Sequence, residues 1–438
     1  MKFYAKLVFT YIFILGLAFT FLVPPLQKPD EHGHFKRAIL LSKGYVFLLN
    51  DGKKLPIEKM YTDIIFDKKL NAIPYHANIK FDASFYQKPL FASSGDHKIL
   101  YLDPKGMFIL PAIPYIPHAL GLLIARILSL NGTVGFFAGR FFMFLFSFFM
   151  MIFIYRKTRK PYDDILLFTF SLPMLIHQIS GYGYDGMHYV AGAALFCTFI
   201  NLSHSSSNKA KHVLLFGGSL LLFLLTKLSY EAFFLLLFLI PSKNKLRLFM
   251  SVLIPYFVIK LPFFISSYYY RDNPIGVNPL KQIAYIIRDP LHFAAIFVTS
   301  FLSNINFHVQ GAIGIFGWLD YSMNPFMYFI WIGAACYLIY TIKLKKSDLL
   351  PTTKLIVLFS TPILTYMLIQ TIFYLGWKTV GSSVIDGTQG RYYLILIPYT
   401  LYFCVQAKCN KHIKRAAVIT LGFFALTSLI WTIITRYY

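Results

Sequence analysis

Long apolar runs separated by short basic linkers set the pattern of the chain. The first run, roughly Tyr4 to Val23, is long enough to cross a bilayer. Lys2 and Lys6 flank its start, which favours a cytoplasmic N-terminus. No small-x-small site precedes Pro24, so the run reads as an uncleaved first span rather than a signal peptide. A polar stretch follows from Pro24 to about Lys105. Gly106 to Leu130 is apolar again but holds Pro111, Pro114 and Pro117, and reads as a helix on or dipping into the outer leaflet. Further spans are expected at 133–155, 164–181, 185–202, 212–226, 229–241, 248–267, 323–342, 355–376, 392–407 and 416–434. The expected fold class is therefore an all-α polytopic membrane protein with about eleven transmembrane helices. Its segments are a first helix (1–23), a large periplasmic loop with juxtamembrane helices (24–132), a transmembrane bundle (133–267), a second periplasmic loop (268–322) and C-terminal transmembrane helices (323–438). Within the second loop, His292 to Asn304 reads as a further membrane-dipping helix.

Composition supports this reading. Hydrophobic residues make up 57% of the chain and charged ones 14%, against about 25% charged in a soluble domain. The formal charge of +24 raises nucleic acid as a partner. The basic residues fall in loops, however, so membrane lipid is the better partner and nucleic acid is not expected. The linkers bearing Arg156, Lys157, Arg159 and Lys160; Lys209 and Lys211; Lys243, Lys245 and Arg247; Lys343, Lys345 and Lys346; and Lys408, Lys411, Lys414 and Arg415 all fall on one side, the cytoplasm by the positive-inside rule. Cys197, Cys336 and Cys404 lie in apolar runs and Cys409 in a basic loop, so no disulfide framework or zinc spacing is visible. Nucleotide loops and HExxH are not found either.

The acids divide by side. Asp163, Asp164 and Asp348 map to cytoplasmic loops, and the rest to outer loops or outer span ends. Asp51, Glu58, Asp63 and Asp67 read as plain solvated charges. Asp30, Glu31, Asp185, Asp320 and Asp386 lie close to the hydrocarbon boundary, where an ionised carboxylate costs several kcal/mol without a partner or water. Such a set points to a polar cavity opening outward; the alternative is that each acid marks a helix end. On a helix starting after Pro29, Asp30, His34 and Arg37 share one face at i, i+4 and i+7. A carboxylate, an imidazole and a guanidinium can then converge, which suits a general base beside a phosphate-binding cation. N-capping by Asp30 is the competing structural role. His177 and His188 read as polar packing at helix ends. Glu231 follows Lys227 by four residues and reads as its ion-pair partner. Lys260 reads as a snorkelling or paired lysine inside a span.

Several segments resemble a known family. Pro29-Asp30-Glu31-His32-Gly33-His34-Phe35-Lys36-Arg37-Ala38 resembles the first-loop motif of a group of bacterial membrane proteins that look like the GT-C superfamily of polyprenyl-phosphate-sugar glycosyltransferases. Pro111 to Gly121 resembles that group's Pro/Tyr-rich outer helix. Gly183-Tyr184-Asp185-Gly186 resembles its Ser-Pro-Asp-Gly turn, with Ser-Pro replaced. Leu225-Thr226-Lys227, Gly317-Trp318-Leu319-Asp320 and Gln389-Gly390-Arg391-Tyr392 resemble later motifs in the same order.

The resemblance implies a GT-C-like bundle in the bacterial inner membrane with its site facing the periplasm. The partners it implies are an undecaprenyl-phosphate sugar as donor, the sugar being glucose in serotype-converting relatives, and a surface glycan such as O-antigen as acceptor. The catalytic set is Asp30 as first and Glu31 as second choice of base, with Asp185 holding a sugar hydroxyl, a cation of the site or a metal ion. Arg391, Lys227 and Arg37 are the phosphate cations. Trp318, Tyr115 and Tyr392 offer aromatic faces to sugar, with His34, Asp320 and Gln389 as further substrate contacts. No metal ligand set is assigned and no cofactor is required, though a divalent ion is left open. The rival readings are a flippase for a lipid-linked glycan and an O-antigen polymerase.

Overall fold

The computed structural model describes residues 2–48, 53–103, 107, 110–204, 210–239, 245–270, 275–344, 348–406, 433, 434, 436 and 437. Asp51, Cys409, the basic linker 408–415 and most of the expected span 416–434 lie outside the described residues.

The helices in order are α1 (Phe3–Leu22), α2 (Glu31–Ser42), α3 (Lys59–Ile65), α4 (Lys68–Ala72), α5 (Ile116–Ile127), α6 (Gly132–Lys157), α7 (Asp163–Ser171), α8 (Pro173–Ile179), α9 (Asp185–Ser203), α10 (Ala210–Thr226), α11 (Lys245–Tyr270), α12 (Pro279–Arg288), α13 (Pro290–Gly314), α14 (Pro325–Thr341), α15 (Thr352–Trp377) and α16 (Ile397–Val405). Two antiparallel pairs accompany them: β1 (Leu55–Glu58) with β2 (Ile99–Leu102), and β3 (Ile315–Phe316) with β4 (Tyr321–Ser322). Helix starts follow local chemistry. Asn131 Oδ1 accepts the Val134 N–H at 2.9 Å to cap α6. Asn278, Asp289 and Asn324 cap α12, α13 and α14, each followed by a proline in the first turn.

α1 packs among α6, α7 and α8. α6 also meets α5 and α9, α9 meets α10, and α10 meets α11. α13 lies against α8 and the 3-10 segment Gly390–Leu396, and α15 against α12, α16 and the 3-10 segment Glu231–Leu239.

Phe3–Leu22, Gly132–Lys157 and Lys354–Trp377 are long and apolar enough to cross a membrane; α12 and α13 qualify together, although they meet at 107°. The expected count of about eleven unbroken spans is not reached among the described residues. The run 164–181 divides into α7 and α8 at Pro173. The run 229–241 forms only the 3-10 segment Glu231–Leu239, and 392–407 is split between Gly390–Leu396 and α16. The stretch read as the second outer loop carries the 25-residue helix α13.

Charged side chains collect at the two ends of α1. At its start, Lys2 and Tyr4 both bind Asp164, Lys2 Nζ at 3.1 Å, and Arg159 binds Asp348 at 3.0 Å. Its twenty residues carry the chain about 30 Å to the other end, where Pro24 to Asp30 lead into α2. There the Arg140 guanidinium grips Glu31, Nε–Oε1 at 2.9 Å and Nη2–Oε2 at 2.6 Å. It also donates to the carbonyls of Thr20, Val23 and Pro24, closing the end of α1. Glu31 Oε1 further accepts the Tyr182 N–H at 2.9 Å. One buried pair thus ties α1, α2, α6 and the 181–184 turn together.

Removing one partner of such a pair leaves a buried, uncompensated charge. Arg140→Ala is expected to cost about 3–5 kcal/mol of stability, read as a lowered melting midpoint of the solubilised protein. Lys59→Ala, which cuts the exposed Lys59–Asp63 pair, is expected to leave the midpoint unchanged. Equal behaviour of the two variants contradicts the bracing role.

Candidate functional site

The 181–184 turn sits where α1, α2 and α9 approach each other. Lys28 reaches into it, and its buried ammonium donates to the carbonyls of Gln178 at 2.7 Å and Gly181 at 3.4 Å. His118, from α5, contacts the same turn at Gly183 O at 3.4 Å and bonds Gly139 O of α6 at 2.9 Å. The turn ends at Asp185, the first residue of α9, where the helix dipole favours a carboxylate.

Asp185 is buried and surrounded by cations. Lys227 Nζ lies 2.8 Å from Oδ1, and Arg391 Nε 3.8 Å from Oδ2. The Lys227 ammonium also lies over the rings of Tyr392 at 4.2 Å and Tyr184 at 4.6 Å. Arg391 arrives on a segment that only glycine permits: a Cβ at Gly390 would collide with the α13 backbone at His308 O and Ala312 N. Its guanidinium is 5% exposed, reaches Gln178 Oε1 only at 3.5 Å, and leaves Nε without a hydrogen bond. Gln389 Oε1 beside it is also unsatisfied. A cavity opens here, lined by Arg391, Gln178, Pro29, Gly317 and Leu319 among others.

Asp30 stands at the rim next to Pro29. It is exposed, with φ 60° and ψ 11°, a left-handed backbone that costs a non-glycine residue energy. It occupies the N-cap position of α2 but its side chain makes no cap hydrogen bond. Among the described residues its carboxylate has no hydrogen-bond or ion-pair partner. Pro29, its neighbour in the chain, lines the same cavity as Arg391.

The other expected residues divide. His34 and Tyr115 meet, Nδ1 to Oη at 2.6 Å, and burial pulls the His34 imidazole down to about 3, leaving it neutral. Three corrections follow from geometry. Glu31 is fully buried with both oxygens committed to Arg140 and Tyr182, so it braces rather than accepts a proton. Arg37 spends its guanidinium on the carbonyls of Leu110, Tyr45 and Val46, which removes it from the phosphate set and from any convergence with Asp30. Asp320 accepts from Trp318 N, Tyr75 N and Arg436 Nη2, so it shapes a turn instead of meeting substrate.

Elsewhere, the expected Lys227–Glu231 pair gives way to Lys227–Asp185, while Glu231 accepts from Tyr256 at 2.6 Å and lies within electrostatic reach of buried Lys260. Glu58, expected to be solvated, is buried between Lys43 and Arg126. His177 packs on Phe19 and Phe316, and His188 bonds Thr226 at 2.9 Å. Asp386 is exposed and pairs with Lys378.

Sequence reasoning missed Lys28, Arg140, Gln178 and His118. Arg140 alone carried a signal: an arginine in mid-run must find a partner. Among the described residues no three His, Cys, Asp or Glu side chains are grouped to hold a metal. Asp185 is hemmed in by cations that repel a divalent ion, so the residues present do not fit one.

Residues 13–400 match a family described as "Predicted membrane protein (DUF2142)". The chain belongs to this family. It is thereby a membrane protein, in keeping with its long apolar helices. No curated protein and no solved structure matches the chain.

In this DUF2142 chain the buried charges do not balance. Among the described residues, Lys28, Lys227, Arg391 and Arg140 lie with two buried carboxylates, Asp185 and Glu31. Burial pulls the Lys28 ammonium from its usual 10.5 to about 7, against the opposing pull of Asp185 and Glu31. Between those values the unfolded chain binds the extra proton, so this lysine makes stability rise with pH from about 7 to 10.5. Lys28→Met is expected to flatten that rise in melting midpoint relative to the wild type. A slope identical in both proteins contradicts the burial of a titrating lysine.

Proposed function

We propose that the protein is an inverting GT-C-type glycosyltransferase at the outer face of the bacterial inner membrane, moving a sugar from polyprenyl phosphate to a surface-glycan acceptor. The observation that carries this reading is a buried cation cluster whose Arg391 lines a cavity with Pro29, the residue next to an exposed Asp30. Buried cations exceed buried carboxylates, and an unpaired carboxylate stands exposed at the rim. The surplus positive charge suits an anionic leaving group, and the free carboxylate suits a base.

In the proposed step Asp30 takes the proton of an acceptor hydroxyl. The hydroxyl oxygen attacks the anomeric carbon, the bond from that carbon to the phosphate oxygen breaks, and polyprenyl phosphate leaves with inversion. Arg391, whose Nε makes no hydrogen bond, and Lys227 stabilise the charge that develops on the leaving phosphate, an effect strengthened by burial. Asp185 holds both cations in place before the donor arrives.

The test uses full-length protein in proteoliposomes, with labelled undecaprenyl-phosphate glucose and a glycan acceptor. Asp30→Asn is expected to lower turnover by about 10²–10⁴-fold while donor affinity persists. Undiminished transfer removes Asp30 from the role of base. Movement of the lipid-linked glycan between leaflets without transfer favours the flippase.

A further inference from the structure

Three segments distant in sequence bring aromatic rings together beside Asp30. The His32 and Trp318 rings are nearly parallel, at 15° and 6.2 Å between centroids, and Tyr75 leans on Trp318 at 5.9 Å. Tyr75 is 67% exposed and His32 is also exposed. The backbone is strained to achieve this. Leu26, Asp30, Tyr75 and Leu319 all adopt left-handed conformations, four of the six such non-glycine residues described. Two of them are linked through the Trp318 turn: Trp318 Nε1 donates to Leu26 O at 3.0 Å, and Asp320 accepts both Trp318 N and Tyr75 N. Arg436 anchors Asp320 at 2.9 Å. The Trp318 ring is thus anchored and partly exposed, while His32 and Tyr75 beside it are exposed.

We infer that His32, Tyr75 and Trp318 form the platform on which the acceptor saccharide stacks, so that a hydroxyl of the stacked sugar meets Asp30. A pyranose presents an apolar C–H face to an aromatic ring and hydroxyls at its edge. An aromatic floor with one placed carboxylate matches both. A lipid headgroup is the competing occupant of exposed Trp and Tyr. Charge alone does not choose between them, because both the Lys36 cation and the Asp30 carboxylate act on His32, so the choice rests on the hydrogen bonding of the rings. The indole N–H is already used by Leu26 O and is not available to a headgroup. This inference rests on the transferase reading for the role of the hydroxyl, but the platform is testable apart from it.

The protein in lipid nanodiscs is titrated with short oligosaccharides cut by mild acid from the source bacterium's own surface polysaccharide. The signal is Trp318 fluorescence, isolated by difference against Trp318→Phe. Saturable binding is expected, weakened about tenfold in Tyr75→Ala and in His32→Ala, two exposed positions whose truncation spares the core. Binding that ignores both variants, no binding by the wild type, or quenching of Trp318 by brominated lipid overturns the platform. Donor consumption is scored in parallel. Consumption with a failed platform sinks this inference alone, whereas Tyr75-dependent glycan binding without donor consumption upholds the platform and sinks the transferase.

Discussion

The Glu31 carboxylate and the Arg140 guanidinium meet in a part of the molecule that water does not reach, with side chains 0% and 1% exposed. Each ion has been stripped of its hydration, so neither is tolerable without the other. The arginine sits mid-helix in α6, the glutamate at the head of α2, and the remaining donors of the arginine close α1. The first loop is therefore held against the bundle by electrostatics that cannot be relaxed locally. The positions of Lys28, Pro29 and Asp30 follow from it, because they lie between the end of α1 and Glu31. The 181–184 turn follows too, since Tyr182 N–H donates to the same carboxylate.

On that frame the site assembles from opposite ends of the chain. Asp185 collects Lys227 from the segment after α10 and Arg391 from the segment laid over α13. Two glycines, Gly311 and Gly390, bring that segment close enough for the arginine to reach. The cluster carries more positive than negative charge, and its arginine keeps a bare donor. Asp30, on a left-handed backbone, is exposed and makes no hydrogen bond or ion pair with the cluster among the described residues. Separation of a bound carboxylate from a free one gives two acids of the same chemistry different work, as environment alone decides which is paired.

Much of the helical layout was legible. The runs 4–23, 133–155, 185–202, 212–226, 248–267, 323–342 and 355–376 correspond to α1, α6, α9, α10, α11, α14 and α15 within a few residues, because an unbroken apolar run leaves little choice. α13 was legible only in part, as the dipping helix expected over His292 to Asn304; its full extent, Pro290–Gly314, was not, because Asn304 and His308 interrupt the apolar pattern. Asn304 donates to Ile385 O and His308 meets Thr388, contacts that no local pattern announces. The broken runs failed for the converse reason, as composition does not distinguish an α-helix from a 3-10 segment. Asp185, Lys227 and Arg391, singled out by their motifs, do meet in the structure, and Asp30 is exposed. Arg37 and Glu31 were misassigned because helical spacing shows which residues share a face, not whether neighbouring carbonyls or a distant arginine have already claimed them. Lys28 gave no signal beyond its charge, and its role depends on a turn whose Gly181 lies 153 residues away.

The central claim is that the buried positive surplus exists to hold a lipid-linked phosphate. Binding of undecaprenyl phosphate to the full-length protein, measured for wild type and Arg391→Gln, addresses it most directly. The account predicts saturable binding by the wild type, lost or greatly weakened in the variant while the melting midpoint is retained. Equal binding by the two proteins, or none by the wild type, contradicts it.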